Sequence, residues 1–307
     1  MIERSSEMKK IFLSFLIIVS FWNCSENLKE KGSKEYIAEI KSWHSKRNEN
    51  LKKENGWLNL VGLLWLKEGE NKFGSDKSND IVFPEGSPAF IGKFILKDTT
   101  VTIEVNPDVE IMNDGKKITK LILQNDLKGN PTVLSYKNFR WHIIKRQDKF
   151  GVRLRDLNAP LVKNFKGIET FPINDDWKME ASFVPYNPPR EILIPNVLGM
   201  IDTSKAAGKI IFKKDGKEFS LEALDGGPDS FFIIFADETS GKETYGAGRF
   251  LSVEKPKQGQ KFYIDFNKAY NPPCVFTKYA TCPIPPKENH LKLRVTAGEK
   301  MFEGGAH

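Results

Sequence analysis

Cys274 and Cys282 lie in the segment Asp265–Leu291, DFNKAYNPPCVFTKYATCPIPPKENHL, with five prolines and two tyrosines around them. Three chemistries suit such a pair: a disulfide closing a short loop, two buried free thiols, or a thiolate nucleophile or metal ligand. A nucleophile needs a base and a lowered thiol pKa, and His290 is the one local base. Cys274, Cys282 and His290 recur at even spacing, but that spacing fits no usual zinc pattern and has no fourth ligand, so no metal is expected. A disulfide is the leading expectation for an exported chain; the other two remain open.

The polar residues around the loop offer a second chemistry. Asp265, Asn267, Tyr270 and Asn271 precede Cys274, and Asn289, Glu299 and Lys300 follow it. In ETYGAGRFL, glycines precede Arg249 and permit close backbone approach to a ligand or another chain. An arginine, a carboxylate and amides beside a rigid loop can grip a carboxylate, a phosphate or a sugar. Arg249 is the expected anion contact, with Asp265, Asn267, Tyr270 and Asn271 orienting the ligand. The internal alternative pairs Arg249 with Asp265 and leaves the asparagines to cap turns. A hydrolase would use Asp265 or Glu299 as general base, Tyr270 or Arg249 to stabilise charge, and Cys274 as nucleophile. In a third, structural alternative the loop caps a barrel and the protein binds another envelope protein. No cofactor is expected.

These residues need elements to hold them. The prolines remove backbone donors, so the segment must be an extended loop over a scaffold and not a central strand. YNPP occurs at Tyr186–Pro189 and again at Tyr270–Pro273, which implies shared turn chemistry. Tyr36, Ile37, Ile40, Trp43 and Arg47 fall at helical spacing, predicting one amphipathic helix over 33–56 that ends at Gly56. Trp43 is expected to pack, with His44 and Arg47 solvated. Beyond Gly56 the pattern changes to short β-rich runs, among them KFILKD, TVTIEV, FRWHIIKR, GVRLRD, EILIPN, SFFIIFAD and LKLRVTA. MNDGKK and KKDGKE place Asp-Gly between strand-like flanks, a strong hairpin signal. The expected class is mostly β, an antiparallel sandwich or barrel in two parts, 57–160 and 175–307.

The start of the chain sets its expected location. Lys9 and Lys10 precede an apolar run from Ile11 to Phe21, too short to span a bilayer but right for a signal peptide over 1–24, with Met8 as the more typical start. Cys24 directly after it predicts a lipidated cysteine, followed by a polar tether over 25–34. The expectation is a lipid-anchored protein of the cell envelope, the alternative a secreted one. A formal charge of +7, from 47 basic and 40 acidic residues, comes without an Arg/Lys block. It hints at anionic surfaces and gives no case for nucleic acid.

FGSDKSNDIVFP, followed by NDGKKI, is faintly similar to forkhead-associated domains. Ser75 stands where those phosphothreonine readers carry arginine, and only Ser87-Pro88-Ala89-Phe90 represents their Ser-x-x-His element. That resemblance therefore implies a sandwich over 57–160 without phosphopeptide binding. YGAGRFL, the long Asp265–Leu291 motif and AGEK resemble an uncharacterised bacterial family, domain of unknown function sixteen-eighty-four. WHSKRNENLKKENGWLNLVGLLWLKEGENKFGS resembles its N-terminal signature. The family brings no settled activity. His290 occupies a position where its pattern implies arginine, which counts against a Cys–His catalytic pair.

Overall fold

The computed structural model describes residues 28–305; Cys24 and the run before it lie outside the described residues. Helix α1 spans Lys34–Lys52, with the Ser33 hydroxyl accepting from the Tyr36 N–H as its N-cap. It presents Tyr36, Trp43 and Arg47 to the C-terminal loop, and buries Ile40 and Leu51.

The strands that follow are short. They are β1 (Leu60–Trp65), β2 (Gly69–Gly74), β3 (Ile81–Val82), β4 (Gly92–Lys97), β5 (Thr100–Val105) and β6 (Ile111–Asn113). Next come β7 (Lys116–Ile118), β8 (Lys120–Leu123), β9 (Leu134–Tyr136), β10 (Phe139–Arg146) and β11 (Lys149–Asp156). They form two sheets, ordered β1-β11-β10-β9-β6-β7 and β3-β2-β4-β5-β8. Alternate residues of both turn inward, so Phe73, Phe94, Ile103, Trp141, Ile143, Val152 and Leu154 share one core. Each such side chain contributes roughly 1.5–3 kcal/mol on burial.

After the short helix α2 (Pro160–Asn164) the chain builds a third sheet. Its strands are β12 (Lys178–Pro195), β13 (Ile201–Lys214), β14 (Lys217–Asp225), β15 (Ser230–Phe235), β16 (Arg249–Glu254) and β17 (Tyr263–Asp265). The order β16-β15-β14-β13-β12-β17 curls until β16 and β17 lie beside each other, an almost closed barrel. Ile210, Phe212, Leu221, Ala223, Ile233, Phe235 and Phe266 fill its inside. On the outer face Ile192, Ile194, Ala206, Leu224, Ile234 and Phe250 pack beneath Cys274, Ala280 and Cys282. The mostly β, antiparallel expectation is met, the one parallel pair among the described strands being β2 with β3.

Both Asp-Gly pairs close hairpins. Asp114 and Gly115 (φ 47° and 74°) join β6 to β7, and Asp215 and Gly216 (φ 50° and 75°) join β13 to β14. Positive φ at both central residues is the turn that matches strand twist. LKLRVTA departs from expectation and forms no strand. Its Val295 N–H donates to the Asp237 carboxylate instead of to a neighbouring backbone. The two YNPP motifs also differ. The first lies at a register break in β12 with a cis Asn187–Pro188 bond; the second leads into a 3-10 turn over Pro273–Val275.

Candidate functional site

The prolines and cysteines shape the loop as a brace. Cys274 and Cys282 form a disulfide, so Cys274 carries no free thiolate. Within the closed loop, Thr277 donates to the Leu60 carbonyl of β1 at 3.0 Å, and Thr281 accepts from Arg146 of β10 at 3.3 Å. Val197 N–H reaches the Cys282 carbonyl, and Ile284 N–H the Pro195 carbonyl. The segment thus ties the sandwich to the outer face of the third sheet.

Most of the expected ligand contacts are consumed inside the protein. Arg249 is completely buried: its guanidinium donates to Asp237 at 3.2 Å and to the carbonyls of Ala297, Val295 and Glu299. It does not face Asp265 and is not open to a ligand. The preceding glycine explains the geometry. Gly248 has φ 84°, and a Cβ there would lie 2.4 Å from the Phe235 carbonyl oxygen, so the close approach is to the protein's own strand.

Asp265, Asn267, Tyr270 and Asn271 meet helix α1. The Tyr36 hydroxyl donates to the Asp265 carboxylate, 3.0 Å from both oxygens, and accepts from Asn267 Nδ2 at 2.9 Å. Asn267 also exchanges hydrogen bonds with the Asn174 backbone. Arg47 is not solvated: it donates to the Asn271 carbonyl at 2.9 Å and to Glu299 at 3.3 Å, and lies 4.8 Å over the Tyr270 ring. Burial pushes the carboxyls of Asp265 and Glu299 above their usual range, against the hydrogen bonds that hold them. His44 is partly buried too, its imidazole driven down to about 4 by desolvation. Asp265 borders a surface recess of about 460 Å³ with Trp43 and several lysines. Those lysines are largely committed, Lys255 to Asp225, Lys261 to Glu180 and Lys268 to Glu39.

A second group of cations stands on β10 and β11. Register pairs Arg140 with Arg155 and His142 with Arg153 across β10 and β11. Alternation sends Phe139, Trp141, Val152 and Leu154 into the sandwich core, so the polar set emerges on the opposite face. There Arg140 is paired with Glu54 at 2.6 Å and Arg146 with Asp126 at 2.8 Å. Arg155 donates to the Gly56 carbonyl and, at 2.8 Å, to Asn59 Oδ1, with no carboxylate partner. Arg153 makes no hydrogen bond or ion pair among the described residues, although it is only 6% exposed, and its Nε is enclosed without an acceptor. Trp57 covers both, 5.4 Å from the Arg153 guanidinium carbon and 5.8 Å from that of Arg155. Desolvation lowers both arginines to about 10, which leaves them charged at neutral pH, and holds His142 down at about 4, where its neighbour cations also push. A cleft of about 590 Å³ reaches His142 and Arg155 between Arg140, Lys53, Pro131 and Val133.

None of these cations is among the site residues expected from sequence. Their signal was present in RWH of β10 and VRLR of β11, where cations alternate with core residues. Only the pairing register shows that the two sets stand side by side.

Among curated proteins none matches the chain. A solved structure similar to it is the NMR solution structure of an uncharacterised protein from gene locus rrnAC0354 of Haloarcula marismortui. It is 27% identical, covers 45% of this chain and 78% of its own, and superposes with a TM-score of 0.38. The model of the family described as Protein of unknown function (DUF1684) matches residues 163–300, so the resemblance read from the sequence is met over the third sheet and its Pro/Cys loop.

Proposed function

We propose that this chain is a cell-envelope protein that binds a small anionic ligand in the cleft lined by Lys53, Arg140, His142 and Arg155, with the buried Arg153 next to His142 across the strand pair adding to its positive field. The carrying observation is Arg153, a buried guanidinium without a hydrogen bond or ion pair among the described residues, the carboxylate that acts on it, Asp126, being paired with Arg146. Leaving such a charge unpaired costs several kcal/mol, of order what breaking a buried ion pair costs, so a partner arriving from outside offsets it. Arg155, with only neutral acceptors, adds a second fork-shaped donor set suited to carboxylate or phosphate oxygens. Lipidation at Cys24 would hold this binding domain at the membrane by the tether 25–34. Replacing Cys24 with alanine should then move the protein from the membrane fraction to the soluble one.

Thermal unfolding with a panel of phosphates, sulfate, carboxylates and acidic sugars tests the site. Wild type should be stabilised by at least one anion. Arg153→Leu should lose that response and, without anion, unfold at a temperature equal to or above wild type, because an unpaired buried charge has been removed. A variant that keeps the full anion response would refute the assignment.

A further inference from the structure

The far end of β12 has an outer edge that is only partly used. Asn196 N–H donates to the Met200 carbonyl where β12 and β13 meet. Bonded and non-bonded pairs alternate along an antiparallel ladder, so Ile194 and Ile192 also bond across to β13. Glu191, Leu193, Pro195 and Val197 therefore turn their backbone groups the other way. The Pro/Cys loop takes the first part of that edge: Val197 N–H donates to the Cys282 carbonyl, and the Pro195 carbonyl accepts from Ile284 N–H. The loop cannot continue the pairing, because Pro285 and Pro286 have no N–H. The backbone groups of Leu193 and Glu191 are left without a hydrogen bond among the described residues, and Leu193 is 65% exposed. Beside them lies a groove of about 530 Å³ whose other wall is Pro285, Pro286, Lys287 and Glu288.

We infer that this edge receives an extended, uncharged peptide segment of a partner protein as an added strand, apolar at alternate positions. An unpaired edge is a template for another strand, and here the protein's own loop already begins that pairing and stops. The guest continues it, its backbone meeting the N–H and carbonyl of Leu193 and then of Glu191. Ile192, Leu193, Pro285 and Pro286 line the groove and favour apolar side chains. The charges at its rim balance, Arg190 and Lys287 against Glu191 and Glu288, and Arg190 is already paired with Glu222 at 3.2 Å. Nothing there selects a charged guest. The opposite edge of the arm is occupied where it starts, the Ile201 carbonyl accepting from Gln147 at 2.9 Å.

Fluorescence anisotropy of the full chain with a dye-labelled hexapeptide of alternating valine and threonine, capped at both ends, tests this. The peptide should bind, and the same peptide N-methylated at every residue should not, since it keeps the side chains and loses the donors. Peptides with lysine or glutamate in place of valine should bind more weakly. Leu193→Pro removes a donor that β13 does not use, and should weaken binding at least ~10-fold. Thr203→Pro, its counterpart on the far edge of the arm, should leave binding unchanged. Leu193→Lys leaves the backbone as it is and places a charge in the groove, so it should weaken binding even if the proline variant fails to fold. No binding by the valine peptide, equal binding of its methylated form, or full binding by Leu193→Lys would each overturn the assignment. Sedimentation velocity of the chain alone reads the other occupant: a dimer that Leu193→Lys dissociates would place a second copy on the edge and overturn the partner peptide.

Discussion

Arg249 and Arg153 are both buried, and their surroundings give them opposite roles. Arg249 has Asp237 and three carbonyl oxygens around its guanidinium, so it joins β16 to the C-terminal segment. Arg249→Met would leave the Asp237 charge enclosed without its cation. That should cost ~3–5 kcal/mol in urea unfolding while the surviving folded protein keeps its anion response. Arg153 lacks such partners, and its removal should do the reverse. In sequence, the glycines before Arg249 and the polar loop after it suit a ligand contact. Those same features describe a tightly packed internal corner, and one chain position alone does not reveal which side of a strand a side chain leaves from.

At the scale of elements, the Pro/Cys segment acts as a strap. Its disulfide encloses a nine-residue ring, counting both cysteines, that carries Thr277 to β1 and Thr281 to Arg146. Chain entropy for a ring of that size implies ~2–3 kcal/mol of stabilisation. Cys274→Ser/Cys282→Ser should lower stability by that amount, and wild type in reductant should follow the double variant in the same denaturant titration. Gly248→Ala belongs to this scale as well. It forces a Cβ against the Phe235 carbonyl at positive φ, and should destabilise the β15–β16 corner by more than the ~1 kcal/mol typical of an exposed helical glycine exchange. Helix α1, both Asp-Gly hairpins and most strands were legible because period and turn chemistry are local. LKLRVTA alternates like a strand, yet it meets the chain after β15 only through Leu291 N–H to Ala236 and Glu238 N–H to Leu293, and Asp237 takes the Val295 N–H where a ladder would continue.

For the whole molecule, buried titratable groups link stability to pH in two directions. His44 and His142 are held near 4 against an ordinary 6.5. The unfolded chain therefore binds more protons between these values, and stability from both histidines is present above pH 6.5 and lost as pH falls toward 4. Each contributes up to about 3 kcal/mol across that window. Asp265 and Glu299 are raised by burial, so their contribution runs the other way: full below the unfolded carboxyl pKa and lost as pH rises through the folded one. His142→Gln should flatten the loss of stability between pH 6.5 and 4.5. Glu299→Gln should steepen it, because the opposing carboxyl has gone. Urea midpoints at the two pH values read both effects.

Composition and periodicity by themselves determined a β-rich chain, one N-terminal helix, an extended proline loop and a cysteine pair suited to a staple. Each of these follows from backbone chemistry acting over a few residues. The tertiary structure alone decided which polar groups remain unsatisfied. Asp265, Asn267, Asn271, Glu299 and Arg249 found partners up to 252 residues away in sequence, as with Arg47 and Glu299. Arg153, three residues before Asp156 at the end of β11, found an indole ring but no hydrogen bond or ion pair among the described residues. Whether a buried charge is paired depends on what the register and the opposing loops bring to it, and that is a property of the folded chain.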